Sequence, residues 1–176
     1  MKRLILASSS PRRKEILEKL NIPFEVVPST YEEDMTGDHS PIDLAIELSR
    51  GKAEDVVKKC PNSIVIGADT FIYFDGRKLG KPSSPEDAAK LLTELSGKTH
   101  SVFTGYTIID TTSNKTVSKV SETKVYFRKL SQKLIEDYVA TGEPLDKAGS
   151  YAMQDKGALL VERIEGDFYN VGTTII

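Results

Sequence analysis

LILASSSPRRKEIL, residues 4–17, decides how the rest of the chain is read. Its first four residues are apolar without alternation, as in a strand buried on both faces. Ser10 then stands at an N-cap position and Pro11 suits a first helical turn. The pattern predicts a strand over residues 3–7 and a helix over 11–20, with Ile16, Leu17 and Leu20 as its apolar face. A strand that runs straight into a helix opens an α/β fold. The joint also carries three serines and two arginines. A helix N-terminus favours anions, hydroxyls add donors, and a guanidinium grips phosphate oxygens in a fork. Polyphosphate suits such a joint. A P-loop it is not, for the Gly-rich spacing and the Gly-Lys-Ser/Thr ending are missing. The plain alternative is an ordinary cap followed by two solvated arginines.

Working outward, residues 24–27 resemble a second strand. Residues 40–59 form a helix opened by a Ser40/Asp43 capping box around Pro41. SIVIGAD (63–69) is a short buried strand ending in a carboxylate, and FIYFDGRKLG (71–80) is a hairpin turning at Asp75-Gly76. A third helix spans 84–97. Residues 100–127 alternate apolar and polar around Ser113-Asn114, which predicts two long antiparallel strands. A fourth helix covers 131–141, and strand-like pieces follow at 158–164 and 167–176. Interleaved strands and helices followed by a hairpin-like pair give an α/β fold with a mixed sheet.

A chain of 176 residues fits one domain, or one domain with two lobes. With 39% hydrophobic and 28% charged residues it has the composition of an ordinary soluble globular protein. A formal net charge of −2 argues against a large nucleic-acid surface, so the arginines serve a small polyanion better than a duplex. Cys60 is alone, which excludes a disulfide framework and a cysteine metal cluster. His39 and His100 are too few for a histidine-rich zinc site. The apolar stretch after Lys2 and Arg3 is too short for a signal-peptide core, and no apolar run approaches the ~20 residues of a bilayer span. The expectation is a soluble cytoplasmic protein without a membrane partner.

Several side chains stand out chemically. On a wheel of about 100° per residue, Lys52 falls inside the apolar arc of Leu44, Ala45, Leu48 and Val56. A lysine there must find an anion or snorkel to water. Asp69 should lie at the carboxyl end of its strand, where ligand groups of open α/β sheets cluster. It is placed to hold a divalent metal, to take a proton from water, or simply to cap a turn, and Thr70 shares its location. Lys81 sits between Gly80 and Pro82, a backbone setting that fixes it or merely makes a charged turn. Glu32 and Glu33 lie in an acidic loop, and one of them is a candidate to join Asp69 on Mg²⁺. Gln154, in the glycine-punctuated loop 146–157, has an amide that reads base edges, or is just a loop glutamine. His100 is expected to be a structural strand-end histidine.

Taken together, ASSSPRR (7–13), the glutamate pair 32–33, GKA (51–53), GADT (67–70), LGKP (79–82), SGKTHSVFTG (96–105) and EPLDKAGSYAMQ (143–154) resemble, in order and over nearly the whole chain, the Maf-type nucleoside triphosphate pyrophosphatases. The resemblance implies a single domain over 1–176. Its fold would be a mixed twisted sheet with flanking helices and a cleft between two lobes, similar to the inosine triphosphate pyrophosphatases. It implies hydrolysis between the α- and β-phosphates with Mg²⁺ or Mn²⁺. By position, Asp69 is the proton acceptor, and Glu33, Lys52 and Lys81 match catalytic or phosphate-binding places, with Glu33 and Asp69 on the metal. Ser10 and Arg13 fit the family's Ser-x-x-Arg motif, as do Ser9 and Arg12. Arg12, Thr70 and Gln154 match the branch that cleaves dTTP, UTP and related pyrimidine nucleotides rather than the 7-methyl-GTP branch. A glutamine amide can pair with the imide edge of uracil or thymine. The resemblance leaves room for a homodimer. It lapses at GDFYNVGTTII (166–176), where the family continues through Leu-Pro into a final helix. The rivals are a nucleotide-binding regulator of cell division without turnover, and an interaction domain whose arginines bind acidic proteins.

Overall fold

The computed structural model describes residues 2–32 and 39–171. Its strands are β1 (Arg3–Leu6), β2 (Glu25–Val26), β3 (Ser63–Phe74), β4 (Arg77–Leu79), β5 (Thr99–Asp110), β6 (Lys115–Phe127) and β7 (Val161–Glu165). Its helices are α1 (Pro11–Glu18), α2 (Pro41–Val57), α3 (Pro85–Leu95) and α4 (Gln132–Val139). The strands form one seven-stranded sheet in the order β2-β1-β3-β5-β6-β7, with β4 pairing β3 off that path. β1 runs parallel to β2 and β3, whereas β4 is antiparallel to β3 and β7 to β6. The mixed α/β sheet is as expected. Among the described residues no helix is long and apolar enough to cross a membrane.

Among the described residues the chain gathers into two compact units, one made of residues up to Thr70 and of Thr104–Ser121, the other of Phe71–Phe103 and residues 122–171. In the first unit, side chains alternate across the sheet. Ile5, Ala7 and Val65 pack with Ala53 and Val56 of α2, while Leu6, Ile66 and Ala68 pack with Leu17 of α1. The two helices therefore cover opposite faces. α2 lies very close to its strands, because a Cβ on Gly67 would collide with the Ser49 carbonyl oxygen and with Ala53, and one on Gly105 with the Ala45 carbonyl. A buried hydroxyl chain crosses the same seam. Ser49 Oγ donates to the Ile46 carbonyl at 2.9 Å and lies 2.9 Å from Thr107 Oγ1, which is 2.8 Å from Ser118 Oγ.

The second unit has its own core, built on Leu92 and Leu95 of α3, Ile135 and Tyr138 of α4, and Val102, Val125 and Phe127 of the strands. Within it His100, Phe127 and Tyr151 form a triad of edge-on rings, and His100 Nε2 lies 2.7 Å from Tyr151 Oη. His100 is structural, as expected. Helix openings also follow the sequence: Ser40, Ser84 and Ser131 each accept a backbone N–H three residues on. The β3–β4 hairpin turns through Asp75 (φ 50°) and Gly76 (φ 77°), the left-handed pair that a two-residue turn demands.

Three expectations fail. α1 ends at Glu18 and leaves Leu20 42% exposed, because its buried face is supplied by Leu17 and by the Arg13 guanidinium stem. β3 does not end at residue 69 but continues to Phe74, since the β-favouring run Phe71, Ile72, Tyr73, Phe74 carries the strand past a carboxylate that is itself paired. Residues 156–160 and 169–171 are 3₁₀ turns, so only 161–165 of the last stretch is strand. Gly166 (φ 125°) breaks the strand, Asp167 Oδ1 accepts the Tyr169 N–H at 2.8 Å, and the buried Asn170 amide donates to the Val102 carbonyl at 3.0 Å. Residues 172–176 lie outside the described residues.

Two measurements check this packing. Gly105→Ala should lower stability by about 1–3 kcal/mol in urea denaturation, through overpacking against α2. Burial pushes the His100 imidazole down to about 4 from 6.5, so the unfolded chain binds the proton first as pH falls. Stability should be flat above the unfolded value and drop by about 3 kcal/mol on acidification through the folded one. A His100→Gln variant should lose that slope.

Candidate active site

The joint after β1 is organised by a serine that sequence reasoning passed over. Ser8 Oγ accepts the Ser10 N–H at 3.1 Å and Arg13 Nη1 at 3.2 Å. The first bond is a serine turn two residues long, set just before the helix. Ser10 occupies the cap position with extended backbone angles, but its side chain makes no cap bond. With both lone pairs engaged, Ser8 keeps its own hydroxyl hydrogen for another acceptor. Arg13, on the first turn of α1, is buried, and its second nitrogen Nη2 donates to Thr70 Oγ1 at 3.4 Å. Thr70 Oγ1 in turn lies 2.9 Å from Thr104 Oγ1. Thr104 was also missed, though it lies in the SGKTHSVFTG stretch. Arg12, next to Arg13 in the sequence, is half-buried.

On the other face of β3, Lys52 Nζ donates to Asp69 Oδ1 at 2.5 Å. The Lys52 side chain is 17% exposed and that of Asp69 8%, so the pair is held largely out of water. Asp69 Oδ2 is buried with no hydrogen-bond partner among the described residues. The anion expected for the lysine of the apolar stripe is thus supplied by the chain itself. Asp69 and Thr70, adjacent in β3, point to opposite faces, one toward α2 and one toward α1. Both lie past the point where β1 stops pairing with β3, at Leu6 and Ile66. Asp69 is therefore in mid-strand and not at the carboxyl end of β3. The end that carries the polar groups is that of β1, where the chain turns through Ser8 into α1.

Glycine 51 brings a third element to Lys52. A Cβ there would strike the ring of Tyr31, so the glycine lets Tyr31 lie flush on α2. The segment before it is pinned by Asp55 Oδ2, which accepts from Thr30 N–H at 2.8 Å, Ser29 Oγ at 3.1 Å and Thr30 Oγ1 at 3.3 Å. The Thr30 backbone bond, helped by Lys59 and Ser29, holds the Asp55 carboxyl down at about 2. Glu32, next along, is exposed, and Glu33 lies outside the described residues. Lys81 and Gln154 both belong to the second unit, each on an exposed position. Of the expected site residues, the structure brings Arg13 to Thr70 and Lys52 to Asp69.

Chemically, the first unit presents donors that suit an oxyanion and one carboxylate with an uncommitted oxygen. Among the described residues no three His, Cys, Asp or Glu side chains gather as a metal cage. A family model described as Maf-like protein matches residues 3–172. The dTTP/UTP pyrophosphatase of Bacillus cytotoxicus is 49% identical over 171 residues, covering 97% of this chain and 88% of that protein. That of Bacillus mycoides is 48% identical with the same coverage. The dTTP/UTP pyrophosphatase of Methanosarcina barkeri is 49% identical over 172 residues, covering 97% and 87%.

Removing one partner of a buried pair strands the other. Lys52→Met should cost about 3 kcal/mol of folding stability in denaturant titration, and the double variant Lys52→Met/Asp69→Asn should recover a large part of it.

Proposed function

The chain belongs to the Maf family, and from that premise we propose that it hydrolyses dTTP, UTP and related pyrimidine nucleoside triphosphates between the α- and β-phosphates. The products are a nucleoside monophosphate and pyrophosphate. Relatives of that named activity, about half identical over nearly the whole chain, support the substrate class. The observation that carries the chemistry is Asp69, with one oxygen held by Lys52 and the other buried without a partner among the described residues.

Transfer at phosphorus is accelerated chiefly by positioning and by stabilising charge on oxygen. Lys52, Arg13, the Ser8 hydroxyl and the N-terminal amides of α1 supply cations and donors for phosphate oxygens. Lys81 is a further phosphate ligand. Asp69 orients the attacking water and accepts its proton. The water oxygen bonds to phosphorus while the bond to the bridging oxygen breaks, and the leaving pyrophosphate takes that electron pair. Arg12, Thr70 and Gln154 carry the selection of a pyrimidine base.

The resemblance also implies Mg²⁺ or Mn²⁺. A buried carboxylate oxygen without a hydrogen-bond partner among the described residues is a suitable hard ligand for a cation that takes one or two carboxylates plus phosphate oxygens and water. Asp69 and Glu33 would hold it. When bound, the cation neutralises charge on the triphosphate. A nucleotide substrate and a single buried thiol, Cys60, suit a cytoplasmic enzyme.

Pyrophosphate release should be fast with UTP and dTTP in Mg²⁺, weak with 7-methyl-GTP, and lost on chelation. Asp69→Asn should reduce kcat by about 10²–10⁴-fold while UTP still raises the melting temperature. Full activity in that variant would refute the assigned base, and UTP binding without any turnover by the unaltered protein would leave the regulator reading.

A further inference from the structure

Gln154 sits at the tip of a loop whose neck is clamped. Asp155 N–H donates to the Ala152 carbonyl at 3.3 Å, closing a β-turn over 152–155. Met153 is buried in the core of the second unit, and Gln154 beside it is exposed. The chain then returns against its own start: a Cβ on Gly157 would lie 2.6 Å from the Ala152 oxygen and 2.8 Å from its nitrogen. Glu143 binds this neck. Its Oε1 accepts the Tyr138 hydroxyl at 2.8 Å and the Gly157 N–H at 3.1 Å, and its Oε2 accepts the Lys156 N–H at 3.2 Å. Three donors on one carboxylate are charge-assisted bonds, stronger than neutral ones. Burial, followed by Glu143 itself, pushes the Tyr138 phenol up, so it keeps the proton it donates.

We propose that Glu143 is a positioning residue for base selection. By holding the amides of Lys156 and Gly157 it fixes the turn that presents the Gln154 amide, a role that rests on Gln154 reading the base. A side chain aimed by a rigid turn discriminates between base edges more sharply than one on a loose loop, because less ordering is left for the bound state. UTP and CTP differ only at that edge: uracil offers an imide N–H and a carbonyl where cytosine offers a bare ring nitrogen and an amine.

The test is a double-mutant cycle read as the UTP:CTP ratio of kcat/KM, from pyrophosphate release by the full chain with Mg²⁺. Glu143→Ala should raise KM for UTP with kcat nearly unchanged, and lower the ratio about tenfold, as expected for the loss of a hydrogen bond or two. In a Gln154→Ala background the same change should leave the ratio where it is. Equal losses on UTP and CTP, or an identical shift in both backgrounds, would overturn the positioning role and leave Glu143 a structural residue. A Gln154→Ala variant with the unaltered ratio would instead remove the base-reading role, and the positioning role with it. If Glu143→Ala does not fold, Glu143→Gln takes its place in the cycle, since it keeps one acceptor oxygen for the neck.

Discussion

A lysine inside the apolar face of a helix and an aspartate in the middle of a buried strand are each untenable alone, and the first unit is arranged so that they meet. The contact between Lys52 and Asp69 requires α2 to lie nearly on the sheet. Gly67 and Gly105 make that approach feasible, since any side chain at either place would push the helix outward. Gly51 opens a further slot, filled by Tyr31. The pair also explains why β3 can run through a carboxylate without ending. Glycine spacing, strand length and charge pairing are one arrangement seen three ways.

The opposite face of β3 solves a related problem with hydroxyls. Arg13 is buried, and Ser8 and Thr70 are among the groups its guanidinium bonds. Ser8 accepts twice and so keeps its own hydroxyl hydrogen to donate. The two faces of β3 thus differ in kind, one carrying a carboxylate paired with a lysine and the other a guanidinium bonded to hydroxyls.

Much of this was legible from local patterns. Ser-Pro-x-Asp announced two helices, Asp75-Gly76 a hairpin, and the wheel placed Lys52 in the buried arc. The ordered motifs pointed to the family. What local patterns could not give was pairing across the chain. Lys52 and Asp69 are 17 positions apart, and nothing near either says that they are partners. Ser8 was passed over because cap logic favours the serine next to proline, whereas the backbone here uses the serine two residues earlier. β3 was cut short because a carboxylate normally marks an end. Glu143 opens the EPLDKAGSYAMQ motif, but nothing in that motif says that its donors lie before and after it, at Tyr138, Lys156 and Gly157.

The hydroxyl chain at the α2 seam has a direction. A hydroxyl owns a single hydrogen, and that of Ser49 is given to the Ile46 carbonyl. Thr107 must then give its hydrogen to Ser49, and Ser118 its hydrogen to Thr107. All three dipoles align from β6 toward α2, each polarising the next. The helix that bears Lys52 is thereby moored to two strands by a one-way relay that a valine at 107 would match in shape and silence in polarity.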